Sequence, residues 1–440
     1  MQHQPLPGFR DFYPADFALR AHIFQTWRTV ATRYGFEEYD GPPLEPLELY
    51  TAKSGEEIVG QLYNFVDKGE RAVALRPEMT PTLARMVAAR ANGLKKPIRW
   101  FAIPQLFRYE RQQRGRLREH FQFNCDLIGE RGALADAEIV ALAIDVLRAF
   151  GLTERDFRVR LSNREIIRWS LLGRGLSGAE DGQIQGVLQV IDKMERATRE
   201  ESVARLIGLG LDRPQIDFVF ELVQIRSREQ LERLSREAAP FPDNAPEAPA
   251  HQLLSTLDAL DALGVGEFVD VDFGVVRGLA YYTGIVFELF DAGRSLRAIC
   301  GGGRYDNLTQ AVGGVQLPAV GFGMGDVVLG ELLRERGLVP PHHSSIDVFL
   351  AGITEEDQPH LLRLAHRLRE AGLRVEYSLG SQAIGKQLKL ADARAARLAV
   401  VVGPDDRARG EVMVKDLAAK TQQPVPQADL VTRIRAALAG

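Results

Sequence analysis

The chain has only two cysteines in 440 residues, Cys125 and Cys300, far apart and each in a run that reads as a strand. That excludes a disulfide framework, and no thiolate metal spacing is present. Two free buried thiols in a reducing compartment are expected. No apolar run approaches the ~18 residues that a membrane-crossing helix requires, so no membrane span is expected. The opening MQHQPLPGFRDFYP is neither a signal peptide nor an amphipathic transit sequence, and a cytoplasmic location is expected. Neither sign of charge dominates: 55 Lys and Arg stand against 59 Asp and Glu, a net charge of −4. A general nucleic-acid-binding character is therefore absent, although a local basic patch can still hold phosphate. What is present is ordinary globular composition, 45% hydrophobic and 26% charged, in a chain long enough for two or three domains.

The most informative stretch is residues 97–129, PIRWFAIPQLFRYER-QQRGR-LREHFQFNCDLIG. Two aromatic-rich runs flank a basic loop containing Gly115, the pattern of an antiparallel hairpin with a longer loop. Alternation in the second run puts Arg118, His120, Gln122, Asn124 and Asp126 on one face and Phe121, Phe123, Cys125 and Leu127 on the other. In the first run Arg108 and Glu110 share a face with Trp100, Ala102 and Leu106. The polar face carries both charge signs and an amide, and it ends beside Arg111, Arg114 and Arg116. That chemistry suits a zwitterion and a polyphosphate held together.

Around this hairpin, residues 17–34 have helical spacing and stop at Gly35. Residues 36–50 read as a strand broken by Pro42 and Pro43, which belongs at an edge or a subunit boundary. Residues 63–66 and 71–75 form a small hairpin. It leads into LRPEMTPTLARMV, where Thr80 caps a helix with Pro81 in its first turn. A cap explains Thr80 but neither Arg76 nor Glu78. Helix 136–150 and strand 158–161 follow. Residues 166–259 turn helical and polar, with a proline-rich loop at 239–250 and no chemistry of their own. Strands return at 268–276. Arg277 and Gly278 then interrupt the apolar run where a ligand-facing kink would sit. AICGGGRYDNL has three glycines after a strand, allowing close approach to a ligand. The GFGMG run at 321–325 is by itself better read as tight helix–strand packing than as a nucleotide loop. From residue 346 a separate α/β domain begins, with strands in IDVFLAG, LRVEYSL, RLAVVVG and EVMVKDL, and helices at 357–371, 383–393 and 429–438. The linker pair His342-His343 is no metal site. GSQAIGKQ imitates a phosphate loop but has Gln387 in place of the magnesium-holding hydroxyl. Lys386 and Lys389 on its helix instead face a polyanion.

Taken together and in this order, GFRDFYP, GPPLE, LRPEMT, FRYER…REHFQFNCD, RGLAYYTGIVFE and CGGGRYDNL resemble the histidyl-tRNA synthetase family of class II aminoacyl-tRNA synthetases. The resemblance spans nearly the whole chain, and the class I signatures HIGH and KMSKS are absent. It implies an α+β fold: a class II antiparallel sheet flanked by helices, with a helical insertion and a C-terminal α/β anticodon-binding domain. The implied divisions are catalytic parts at 1–165 and 260–335, the insertion at 166–259 and the anticodon-binding domain at 346–440. It further implies ATP as substrate with Mg²⁺, L-histidine and tRNA(His) as partners, and a homodimer with Pro42 at its interface. By this resemblance Arg108 and Arg277 grip the α-phosphate from opposite sides, and Glu110 sits near the adenine amino group. Glu78, Met79, Thr80 and Gln122 surround the amino-acid end. Asp126 and Tyr282 bond the imidazole nitrogens, and Tyr281 lines the pocket. Arg116, Arg118, His120 and Arg304 complete the ATP site, while Gln113, Arg114 and Arg116 meet the acceptor end of tRNA.

Three positions depart from the family pattern. Asp126 replaces a glutamate. His120 replaces an adenine-stacking phenylalanine and is titratable. Val328, in GMGDVVL, replaces an arginine that meets adenine and the γ-phosphate, so Arg116, Arg118 or Arg304 is expected to cover the triphosphate instead. Two other readings share the resemblance: a non-catalytic regulatory subunit of the first enzyme of histidine biosynthesis, and an inactive histidine or RNA sensor.

Overall fold

The computed structural model describes residues 3–51, 60–111, 113–176, 182–237, 249–277, 281–340, 346–380 and 382–439. His342, His343, Gly278 and most of the proline-rich loop lie outside the described residues. The chain divides into two compact units, Met1–Pro340 and Pro341–Gly440.

The first unit is built on strands β1 (Glu37–Glu38), β2 (Leu44–Pro46), β3 (Asn64–Val66), β4 (Ala72–Leu75), β5 (Ile98–Ala102), β6 (Gln105–Phe107), β7 (Glu119–Ile128), β8 (Phe157–Asn163), β9 (Val269–Val271), β10 (Ile285–Asp291), β11 (Cys300–Arg304) and β12 (Ala319–Gly325). Among the described residues these form a large sheet in the order β1-β5-β7-β12-β11-β10-β8-β9, with β6 also on β7, and a small sheet β2-β4-β3. Pairing in the large sheet is antiparallel except at its two ends, β1 on β5 and β8 on β9.

One face of the large sheet is apolar. Phe123, Cys125 and Leu127 of β7 point into a core shared with Leu19, Ile23, Trp27 and Val30 of the Pro14–Arg33 helix. Trp27 stacks on Phe123 at 5.5 Å between ring centroids, and Phe101 and Phe322 meet the same ring edge-on. The Ala133–Ala149 helix is buried along most of its length because the Pro249–Ala262 helix covers its outer side. The opposite face of β7, β10, β11 and β12 carries the polar residues.

The hairpin at 97–129 forms with the expected faces, but its first strand is broken. Pro104 has no N–H to offer, so β5 ends at Ala102 and β6 is a separate short strand. Arg108 and Glu110 lie past the end of β6, and the Arg108 N–H still donates across to the Arg118 carbonyl at 2.9 Å. The expected strand at 268–276 is reduced to β9, because the Asp272 carboxylate accepts the Gly274 N–H at 2.9 Å and turns the chain. Thr80 is the first residue of its helix, whose cap is Met79 with no side-chain cap bond. The described residues within 166–259 are mainly helical as expected, with capping boxes opening the Arg199–Gly208 and Arg213–Leu222 helices. Cys125 and Cys300 are free and buried.

In the second unit β13 (Val348–Gly352), β14 (Val375–Tyr377), β15 (Leu398–Val402), β16 (Glu411–Asp416) and β17 (Thr421–Pro426) form a sheet in the order β14-β13-β15-β16-β17. Helices Gln358–Glu370, Ile384–Ala393 and Leu430–Ala439 stand where the sequence places them. Gln387 is structural: its amide exchanges hydrogen bonds with the Gly352 backbone at 2.8 and 3.2 Å. Lys386 and Lys389 are exposed.

Candidate active site

The polar face of the large sheet opens into a cleft of about 640 Å³. His120 and Gln122 of β7 form part of its floor, with Gly323 of β12 and Gly301 of β11 beside them. Arg108 and Arg277, from separate segments of the chain, both line this one cleft. The Arg108 Nε–H donates to the Pro77 carbonyl at 3.0 Å, and its Nη1 lies 4.0 Å from Glu110. Arg277 has a left-handed backbone, φ +56°, and pairs with Glu288 of β10 at 2.5 Å. Its guanidinium lies over Gly301, where any Cβ would collide with it. The charges of Glu288 and Tyr282 hold Arg277 above its ordinary value against burial, so it is always cationic.

Glu110 is buried and paired with Arg116. His120 is pushed down to about 3 by burial, with Arg108, Arg10 and Arg116 adding to the shift. It is therefore a neutral ring throughout the physiological range rather than the titrating group its residue type suggests.

A second polar cluster lies further along β7. Asp126 is buried on the same face as Gln122, and the Tyr305 hydroxyl donates to it at 2.5 Å. Burial raises Asp126 to about 7, the Tyr305 hydrogen bond opposing the shift. The Tyr281 hydroxyl donates to Glu78 at 2.9 Å and also bonds Thr80. Tyr281 packs against Tyr282 and Tyr305, at 5.2 and 5.9 Å between centroids. Tyr282 in turn meets Arg277. Met79 is wholly buried and touches Arg76. Two carboxylates and three phenols thus converge in a largely apolar surround, a set of acceptors and donors suited to an ammonium group and an imidazole.

The structure places other expected residues elsewhere. Arg304 is buried and paired with Asp136 at 2.5 Å, and it also donates to the Glu130 carbonyl; it does not line the cleft. Asp136, itself inaccessible, requires this cation. Arg118 stacks on Tyr109, 4.2 Å from the ring centroid, and donates to the Glu110 carbonyl, which takes it out of the cleft lining too. Gln113 accepts a hydrogen bond from Arg297 at the cleft edge. Arg114 is exposed and paired with Glu331 and Glu335.

Three contributions escape a reading of the sequence. Asp192, Lys193, Glu195 and Arg196, from the helical region with no apparent chemistry, line the cleft. Arg297, in the loop before β11, lines it as well. Arg10 of GFRDFYP binds Glu119 at 2.6 Å and Asp326 at 2.9 Å, so that this segment clamps the start of β7 to the helix following β12. Only the GFRDFYP resemblance could have flagged the last of these.

A one-sided antiparallel sheet whose open face holds a pair of converging arginines defines the class II aminoacyl-tRNA synthetase fold. The family model described as histidyl-tRNA synthetase matches residues 8–325, and that of the anticodon binding domain matches 347–437. The histidine–tRNA ligase of Opitutus terrae is 46% identical over 98% of both chains, and that of Haloarcula marismortui is 40% identical over 96% of both. The crystal structure of histidyl-tRNA synthetase from Nostoc sp. PCC 7120 superposes with a TM-score of 0.80 at 27% identity, covering 99% of each chain. The apo enzyme of S. aureus, at 22% identity and a TM-score of 0.74, shares the fold. The chain belongs to the histidyl-tRNA synthetase family.

Proposed function

We propose that the protein is an ATP-dependent histidine–tRNA ligase, activating L-histidine as histidyl-adenylate and passing it to the 3′ end of tRNA(His). The observation that carries this reading is that Arg108 and Arg277, from separate segments, line one cleft with Gln122 of β7, while Asp126, further along the same face of β7, belongs to a buried cluster with Tyr305, Tyr281 and Glu78. In the first step a histidine carboxylate oxygen attacks the α-phosphorus and pyrophosphate departs. Two anions must meet while charge builds on phosphorus, and fixed guanidinium groups lower that barrier without reorganising. Arg108, held by the Pro77 carbonyl, and Arg277, held by Glu288, supply them. Gln122, Glu78 and Thr80 receive the α-amino end, Asp126 and Tyr282 the ring nitrogens, and Tyr281 and Met79 close the pocket. A site that satisfies both ring nitrogens rejects apolar side chains strongly, so editing is unnecessary. Glu110 and the neutral His120 take the adenine side, and Mg²⁺ enters as part of the nucleotide substrate. In the second step the terminal ribose hydroxyl of tRNA attacks the adenylate carbonyl, with Gln113, Arg114 and Arg116 at the acceptor end.

The same reading gives residues 166–259 as an insertion between catalytic parts 1–165 and 260–335, and 346–440 as the anticodon-binding domain. A homodimer fits the exposed apolar residues Phe65 and Val66 on the small β2-β4-β3 sheet, whose strand β2 begins two residues after Pro42. The second unit and the ligase relatives matched along their full length speak against a regulatory subunit. Histidine-dependent exchange of labelled pyrophosphate into ATP is the test. Exchange with histidine and with no other amino acid is expected, and Arg108→Ala lowers its rate at least about a hundredfold. Histidine binding without exchange would instead identify a sensor.

A further inference from the structure

The cleft holds more positive charge than its carboxylates neutralise. Arg277 is matched by Glu288, Arg160 by Asp272 and Glu195, and Arg116 by Glu110. Arg108 shares Glu110 at 4.0 Å; Lys193, Arg196 and Arg297 remain against the one further cleft carboxylate, Asp192, and neither Arg297 nor Arg196 forms an ion pair within 4.0 Å among the described residues. Arg196 closes the 3-10 turn Met194–Arg196 after the Gln183–Lys193 helix, and Arg297 leads into β11. The Arg297 Nη2 donates to the Gln113 side-chain oxygen, which holds the side chain against the turn closed by Gln113 and Arg116. A Cβ on Gly115 would stand 3.6 Å from the Arg297 Cδ and 3.3 Å from the Val328 Cγ2. Arg297 and Val328 therefore flank the same point of the basic loop, and both line the cleft. Burial, with the charges of Arg116 and Arg196, pushes Arg297 below its ordinary value. Guanidinium groups from three separate segments repel one another here, and a polyanion relieves that repulsion.

We propose that Arg297, with Arg116 and Arg196, binds the β- and γ-phosphates of ATP and holds pyrophosphate as it leaves. The loop before β11 and the helical insertion thereby supply the charge that Val328 does not. This rests on the cleft being the ATP site of the ligase. As the histidine carboxylate oxygen bonds to the α-phosphorus, the bond from that phosphorus to the bridging oxygen breaks. The electron pair departs with pyrophosphate, and the arginines exchange no proton.

The test is steady-state pyrophosphate exchange with the full chain, comparing wild type with Arg297→Ala, Arg297→Lys and Arg196→Ala. Arg297→Ala is expected to raise the KM for ATP and for pyrophosphate about tenfold or more, the loss of a charge-assisted contact. The KM for histidine should move less than twofold. Arg297→Lys should recover part of the loss, and Arg196→Ala should shift the same two constants less. If Arg297→Ala leaves both phosphate-side constants within twofold in an exchanging enzyme, the proposal is overturned while the ligase reading stands. If wild type does not exchange, the ligase reading falls and takes the proposal with it. Circular dichroism checks folding; should Arg297→Ala not fold, Arg297→Lys and Arg196→Ala are judged by the same twofold limit.

Discussion

Asp126 is a carboxyl group whose surroundings decide what it can do. Burial lifts it to about 7, whereas in an unfolded chain it titrates near ~3.9. Between those two values the folded protein keeps a proton that the unfolded chain has released. Its contribution to stability is thus fully present below about pH 4 and lost as pH rises to about 7, at about 1.4 kcal/mol per pH unit within the window. Asp126→Asn removes this dependence. Urea unfolding at pH 4.5, 5.5, 6.5 and 7.5 should show the variant gaining on wild type with each step, then levelling; a constant difference would reject the assignment. Arg10 makes the opposite case, since it answers two buried carboxylates. Arg10→Ala should cost about 3–5 kcal/mol, because Glu119 and Asp326 are left without their cation. The same denaturation experiment at neutral pH reads that loss. The residue types at 108, 122, 126 and 277 were legible as candidates from alternation and from the interrupted strand. That Arg304 answers Asp136 was not, because 168 positions separate them and nothing local to either records the pairing.

At the scale of elements, the glycines of β11 and β12 have a role different from the backbone approach to ligand that their run suggests. Gly301 makes room for Arg277, Gly303 for Tyr282, Gly321 for Asp126 and Gly323 for Gln122. Two neighbouring strands are stripped of side chains so that groups from β7 and from the segment between β9 and β10 can lie across them. Gly301→Ala should therefore displace Arg277 and cut pyrophosphate exchange by at least about tenfold while leaving a cooperative thermal transition. Gly302→Ala faces the other way, toward Phe287 and the backbone of Gly321. Overpacking there costs about 1–3 kcal/mol, so it should lower the midpoint of that transition. Differential scanning fluorimetry beside the exchange assay separates the two. Elsewhere local signals sufficed in part: positive-φ Gly35 marks the end of the Pro14–Arg33 helix as read, while the helix begins at Pro14, three residues before the expected 17, because proline suits a first turn. The strand β17 went unseen because Pro424 and Pro426 disguise it; it survives as an edge strand with only Val425 buried.

At the scale of the whole molecule, the residues proposed for catalysis all fall within Met1–Pro340, and Pro341–Gly440 has a separate core of its own. A truncated chain ending at residue 340 should fold, keep histidine-dependent exchange within about tenfold, and lose most transfer to tRNA. Aminoacylation of tRNA(His) measured beside exchange checks this, and light scattering giving twice the chain mass checks the proposed dimer. The order of motifs, the apolar alternation of β7 and the strand–helix alternation that starts at residue 346 were enough to determine the family, the separate C-terminal unit and which face of the central hairpin is polar. These are properties of neighbours along the chain, where periodicity and turn chemistry act. Only the folded structure decided which charges meet. It took Arg118 and Arg304 away from the cleft and brought in Arg196 and Arg297. Electrostatic pairing depends on distance through space, and the sheet order β7-β12-β11-β10 joins segments that the sequence holds more than a hundred residues apart.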